Sequence, residues 1–139
     1  MNLFSKTPAS ATKTLRVLAR LLSYPDATLR KHLPELQEAL RFEAALSPAR
    51  LTELEELIQW MSATSGRQEA LDIEEAYVEL FDRGRATSLH LFEHVHGDSR
   101  DRGPAMIDLA QTFEKAGLFL APGEMPDYLP VVLEYTSTQ

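Results

Sequence analysis

Apolar residues recur at helical spacing along nearly the whole of this chain, and prolines cut the pattern into short pieces. That combination confines the fold to short helices joined by tight connections. Leu15, Leu18, Leu21 and Leu22 form one stripe, ending at Tyr24 because Pro25 disfavours helical geometry in the residue before it. Leu29, Leu33, Leu36 and Leu40 form the next, which Pro34 is expected to split or kink. In "SPARLTELEELIQWM", Ser47 is a natural N-cap, Pro48 suits the first helical position, and Leu51, Leu54, Ile58 and Met61 share a face. The polar run "SATSGRQEA" reads as a connection. "LDIEEAYVELFD" reads as the next helix, with Asp72 and Glu75 at near-capping-box spacing and Ile73, Ala76, Tyr77, Leu80 and Phe81 on one stripe. Pro104 then starts a helix through Met106, Leu109 and Phe113 that stops at Gly117. A last helix is expected from about Pro126 to Tyr135, with Leu129, Val132 and Leu133 inward. The expected fold class is all-α, a single-domain bundle of about six or seven helices with one irregular polar segment from about 82 to 103.

Composition narrows the function classes. With 139 residues and 44% apolar content the chain can build one core. Its 21 acids against 14 bases leave a net charge of −7, which argues against sequence-independent binding to nucleic acid. There are no cysteines, so a disulfide framework, an iron–sulfur site and a zinc-thiolate site are all excluded. The N-terminal "MNLFSKTPASATKTL" has no long apolar core after its lysine and makes a poor secretory signal. No run approaches the ~20 apolar residues of a membrane span, so no membrane insertion and a cytoplasmic location are expected.

The irregular segment carries the unusual chemistry. "SLHLFEHVHGDSRDRG" packs three of the chain's four histidines into positions 90–96, and His90-Leu91-Phe92-Glu93-His94 spells H-x-x-E-H. On a helix, His90 and His94 would present two imidazoles one turn apart, with Glu93 as base for a metal-bound water, as in a zinc-dependent hydrolase. Against that, Gly97 breaks the helix within a turn, and only 45 residues follow His94 to supply a third ligand. No metal site and no catalytic residue is therefore expected. Arg83, Arg85, Arg100 and Arg102 could face phosphates, but Asp82, Glu93, Asp98 and Asp101 cancel them one for one. The structural alternative is that acids and arginines tie down a long connection. On that reading Arg83, Arg100 and Arg102 pair with Asp82, Asp98 and Asp101, and at least one of the arginines is buried. A further alternative is a polar rim around a partner-binding groove whose floor includes Tyr77, Phe81, Leu91 and Phe92.

The stretch "YVELFDRGRATSLHLFEHVHGDSRDRGPAMIDL", Tyr77 to Leu109, resembles the central block of the NarJ-type chaperones of respiratory nitrate reductase, within the wider TorD-like family of redox-enzyme maturation proteins. "RLLSYPD" and "PDYLPVVLEY" agree with it, in order, across the chain. The resemblance implies an all-helical cytoplasmic chaperone that needs no cofactor of its own and catalyses nothing. Its partner would be the catalytic (alpha) subunit of nitrate reductase, bound chiefly through its N-terminal peptide. The subunit would be held off the membrane until the molybdenum cofactor and the iron–sulfur clusters are inserted. It also makes the H-x-x-E-H match coincidental. Where the family usually has His after Pro-Asp this chain has Tyr128, while Asp127 matches. Relatives continue past "LEYTSTQ", so the domain 1–139 is expected to lack the family's C-terminal helices and tail, and self-association through the exposed surface is one expected consequence. A client helix would lie in a groove floored by Tyr77, Leu80, Phe81, Leu91, Phe92 and Tyr135. Asp82, Glu93, Asp98, Asp101 and Asp127 would form an acidic rim suited to a basic peptide. A zinc-dependent hydrolase and a non-catalytic scaffold or oligomerisation module are the alternative functions.

Overall fold

The computed structural model describes residues 11–63 and 66–139. The N-terminal stretch up to Ser10, read above as a poor secretory signal, and two positions of the expected 62–70 connection lie outside them. Among the described residues there are eight helices: α1 (Thr12–Leu21), α2 (Ala27–Lys31), α3 (Leu33–Glu43), α4 (Pro48–Ser62), α5 (Arg67–Phe81), α6 (Leu91–Val95), α7 (Arg102–Lys115) and α8 (Leu129–Ser137). The fold is all-α, and the sole extended pairing among these residues is an antiparallel bridge between His90 and Tyr128. None of these helices is long and apolar enough to cross a membrane.

Local chemistry sets most boundaries. Pro25 lies just beyond α1, whose C-cap is Leu22. Asp26 caps α2 by accepting from the Leu29 N–H at 2.8 Å. Pro34 does split the second stripe: His32 separates α2 from α3, and the proline occupies the first turn of α3, where its missing N–H costs nothing. Ser47 caps α4 with Pro48 in its first turn, as expected. Glu43, at the end of α3, reaches back to accept from the Lys13 and Thr14 N–H groups at 3.0 and 2.7 Å, so α1 is capped by a carboxylate 30 residues downstream.

Four assignments differ from expectation, one being the start of α7, which lies at Arg102 rather than at Pro104. Helix α5 starts at Arg67 rather than Leu71, because Gly66 takes the N-cap position; Asp72 therefore sits inside the helix and accepts from the Gln68 amide at 3.0 Å. Helix α8 begins at Leu129, three residues after Pro126, since residues 127–129 are drawn into the crossing with 89–91. The segment 82–103 is not wholly irregular, because α6 forms within it.

Among the described residues, α1 and α8 make the most extensive contact between helices. Helix α1 packs along α8 and also against α3, which in turn meets α4. Val17, Leu21, Leu29, Leu33, Leu40, Ile58, Met61 and Ile73 form the core, with Leu36, Leu51 and Leu54 packed against it. Of the stripe expected on α1, Leu21 is in this core, whereas Leu18 and Leu22 are half-buried and turn elsewhere.

Two substitutions should move stability in opposite directions. Leu40 is fully buried, and Leu40→Ala should cost ~2–5 kcal/mol by urea denaturation. Ala44 ends α3 with φ at 52°, in the left-handed region that a side chain disfavours. Ala44→Gly should raise stability by about 1 kcal/mol in the same assay.

Candidate functional site

The residues of α1 that leave the core find each other across a groove. Leu18, Leu22 and Pro25 meet Leu54, Leu57, Trp60 and Met61 of α4, Ile73, Ala76, Tyr77, Leu80 and Phe81 of α5, and Leu129 and Leu133 of α8 around a cavity of about 430 Å³. No charged side chain lines it. Its lip is open: Trp60 is 50% exposed and Leu80 51%, beside the partly exposed Leu57. Contiguous apolar surface of this kind, rimmed by polar residues, marks a binding surface more often than does a scattered exposed leucine.

The two walls are strongly acidic. Helix α4 carries Glu53, Glu55 and Glu56, and α5 carries Glu69, Asp72, Glu74, Glu75 and Glu79, against Arg50 and Arg67 on the same helices. Arg50 is already paired with Glu53 at 2.7 Å. Glu55 is held on the far side by Gln37 and Arg41, whose hydrogen bonds keep its carboxyl below the usual carboxylate range. With Glu79 also held by Arg83, the remaining surplus lies mostly on α5 and sets the apolar trough in a negative field, complementary to an amphipathic helix with a basic flank.

Hydroxyls close one end of the groove. The Tyr77 hydroxyl donates to the Leu22 carbonyl at 2.7 Å and lies 3.0 Å from the Tyr128 hydroxyl. Tyr77 has one proton to give, so Tyr128 must be the donor to it. Burial, then the Tyr128 hydrogen bond, push the Tyr77 phenol far above its ordinary pKa, and it keeps that proton throughout the working range. Tyr24 sits edge-on to Tyr77, with ring centroids 5.6 Å apart, and donates to Glu74 at 3.0 Å.

Of the expected groove residues, Tyr77, Leu80 and Phe81 line this cavity. The others lie elsewhere. Tyr135 packs on Phe113, with centroids 4.8 Å apart, and faces a separate cavity of about 460 Å³ where Arg16, Glu124 and Glu134 interrupt the apolar lining. Phe92 stacks edge-on against His96, and Leu91 gives its N–H to Asp127. Asp127 is 0% exposed and cannot be part of a solvated rim. Asp82 and Glu93 line a small polar cavity next to Phe81, Asp98 is exposed, and Asp101 is the N-cap residue of α7. Leu57 and Trp60 were missed. Their signal is an apolar arc on α4 wider than the core alone needs, since both fall beside the Leu54–Ile58–Met61 face rather than on it.

The histidine-rich neck is a network of its own. Glu93 is its hub, taking Arg102 at 3.0 Å and Arg85 at 3.6 Å, with Asp98 4.0 Å from Arg85. Arg83 pairs with Glu79 one turn back on α5, not with a neighbouring aspartate. The expected burial of an arginine is not met: Arg83 and Arg100 are exposed, and the Arg102 side chain, the most enclosed, retains 32% exposure. The H-x-x-E-H geometry is also absent. His90 is the extended N-cap of α6 rather than a residue within it, its Nδ1 turns to Asp127 at 3.6 Å, and His94 Nε2 lies 2.9 Å from the Ser88 carbonyl oxygen. Among the described residues, no three acidic or histidine side chains come close enough to share a metal ion.

The fold and the groove define an all-helical protein with an open apolar trough, and the comparison with known proteins gives it a lineage. Residues 23–139 match the family described as nitrate reductase delta subunit, and the chain belongs to that family. It is 47% identical over 121 residues to the nitrate reductase molybdenum cofactor assembly chaperone NarJ of Escherichia coli K12, covering 87% of this chain and 50% of that one. Against the probable chaperone NarW of the same strain the identity is 43% over 123 residues, covering 88% and 48%. Against the probable NarJ of Bacillus subtilis 168 it is 31% over 124 residues, covering 89% and 64%. The chain thus spans about half the length of the two Escherichia coli relatives.

The neck makes two expectations measurable. Arg102→Ala removes the half-buried partner of Glu93 and should cost about 1–2 kcal/mol of unfolding free energy, whereas Arg83→Ala, on an exposed i,i+4 pair, should cost at most about 0.5. Protein dialysed after purification should hold well under about one zinc per chain by elemental analysis, and chelator should leave the melting of His94→Ala unchanged.

Proposed function

We propose that this chain is an assembly chaperone for respiratory nitrate reductase. In this reading it binds the N-terminal peptide of the catalytic molybdenum subunit and holds that subunit for cofactor insertion before membrane docking. The observation that carries the reading is the open groove between α4 and α5, whose floor is apolar and whose walls carry a surplus of carboxylates. Membership in the nitrate reductase delta subunit family and the names of the similar chaperones support the choice of client. The client peptide folds as an amphipathic helix, sets its apolar stripe against Leu57, Trp60, Tyr77 and Leu80, and leaves its basic flank toward α5.

The energetics fit a carrier that must let go. Burying about four large apolar side chains yields roughly 6–12 kcal/mol gross. Association and ordering of the peptide cost on the order of 4–15 kcal/mol. The difference leaves a moderate, reversible affinity. Nothing in the groove is placed for bond-making chemistry, and the proposed role involves no turnover, no cofactor held by the chain itself, and action in the cytoplasm.

Calorimetry with a synthetic peptide from the N-terminus of the cognate catalytic subunit, and with its scrambled form, tests the reading. Only the native order should bind, and it should shift the emission of Trp60, the chain's one tryptophan. Leu80→Asp should abolish binding while leaving most of the stability intact, because Leu80 is half exposed. Equal heats for native and scrambled peptides would reject a specific client. Concentration-dependent light scattering without peptide binding would instead favour the self-associating scaffold.

A further inference from the structure

The crossing between residues 89–91 and 127–129 holds a carboxylate that its surroundings leave half satisfied. Asp127 is 0% exposed. Its Oδ2 accepts from the Phe92 N–H at 3.1 Å and its main-chain carbonyl from the Leu91 N–H at 3.0 Å, so it supplies acceptors for the first two N–H groups of α6. Its Oδ1 is sealed from solvent and has no hydrogen-bond partner. The group nearest to filling that gap is His90 Nδ1, 3.6 Å away, on a side chain that is 43% exposed and whose ring lies 5.1 Å from that of Tyr128. A buried acceptor without a donor is costly, and a charged one more so.

We infer that His90 and Asp127 form a proton-operated latch that fastens the start of α6 to the turn before α8. A positively charged imidazole closes on Oδ1 and completes the pair. A neutral one leaves the gap open and the crossing looser.

Of the other groups around the pair, all but the exposed Asp82 are already committed. Glu93 of α6 faces the same small cavity as His90, but Arg85 and Arg102 hold it. From the connection before α6, Asp82, Arg83 and Arg85 line that cavity, and Arg83 is engaged by Glu79 of α5. Ser88 Oγ takes the His90 N–H at 3.2 Å, and the Tyr128 hydroxyl is spent on Tyr77. Asp127 is the buried carboxylate of this neighbourhood, and His90 is the titratable cation placed to answer it.

The sign follows directly. The charged imidazole is the acid form, so the latch is closed at the lower pH and loosens as the pH rises. The latch is a property of the chain alone and does not depend on the client reading.

Amide hydrogen exchange of the full chain, followed by NMR at about pH 5.5 and about pH 7.5 and corrected for intrinsic rates, reads it out. The amides to follow are those of Leu91, Phe92 and Leu129, which bond to Asp127 O, Asp127 Oδ2 and Leu89 O, with the amides of α1 as internal reference. Their relative protection should be about fivefold higher at the lower pH, the size of one charge-assisted contact to a half-exposed partner. In His90→Gln the pH dependence should vanish, and in Asp127→Asn it should vanish with lower protection at both pH values. Unchanged relative protection in the wild type, or the same pH dependence in His90→Gln, would overturn the latch. The His90→Gln comparison decides the matter even if Asp127→Asn does not fold.

Discussion

The constraint on which the site depends is the short antiparallel crossing of residues 89–91 with 127–129. Two main-chain bonds, Leu91 N–H to Asp127 O at 3.0 Å and Leu129 N–H to Leu89 O at 2.8 Å, bracket the His90–Tyr128 bridge. Among the described residues this is the one place where two non-helical stretches satisfy each other's backbone, which they must do because Leu89, Pro126 and Asp127 are buried there. From it α6 begins on one side and α8 on the other. Tyr128 then passes a hydrogen bond to Tyr77, and Tyr77 to the end of α1, so the far wall of the groove is set by a contact well outside it.

The helical elements were legible because their causes are local. Ser47 with Pro48 and Pro34 at the start of α3 act within a few residues, and each behaves as its chemistry dictates. Boundaries went astray where a distant partner decided. Pro126 has the credentials of a helix starter, yet the demand of Leu91 and Phe92 for acceptors holds Asp127 in an extended turn and delays α8 to Leu129. Likewise the cap of α1 comes from Glu43, which no window around Thr12 reveals.

The candidate site was legible along α5 and opaque around the neck. Tyr77, Leu80 and Phe81 share one helical stripe, so placing one places all three. Phe92 and Tyr135 are equally aromatic, but their facing depends on His96 and Phe113, partners that spacing cannot supply. The same limit applies to charge. Glu93 collects two arginines because α6 turns it inward, while Asp101, next to Arg102 in the chain, stays exposed. Proximity along the chain was a poor guide to pairing wherever the backbone changes direction.

The extensive contact between α1 and α8 bears on the order of events during synthesis. Helices α1 and α8 lie far apart in the sequence, so α1 must wait until the residues between them have been synthesised before that partner exists. Until then the α1–α3–α4 cluster can assemble, but the face of α1 meant for α8 stays open. The nascent chain is therefore itself a temporary holder of uncovered apolar surface, and whatever shields α1 in that interval governs how much of the product arrives folded.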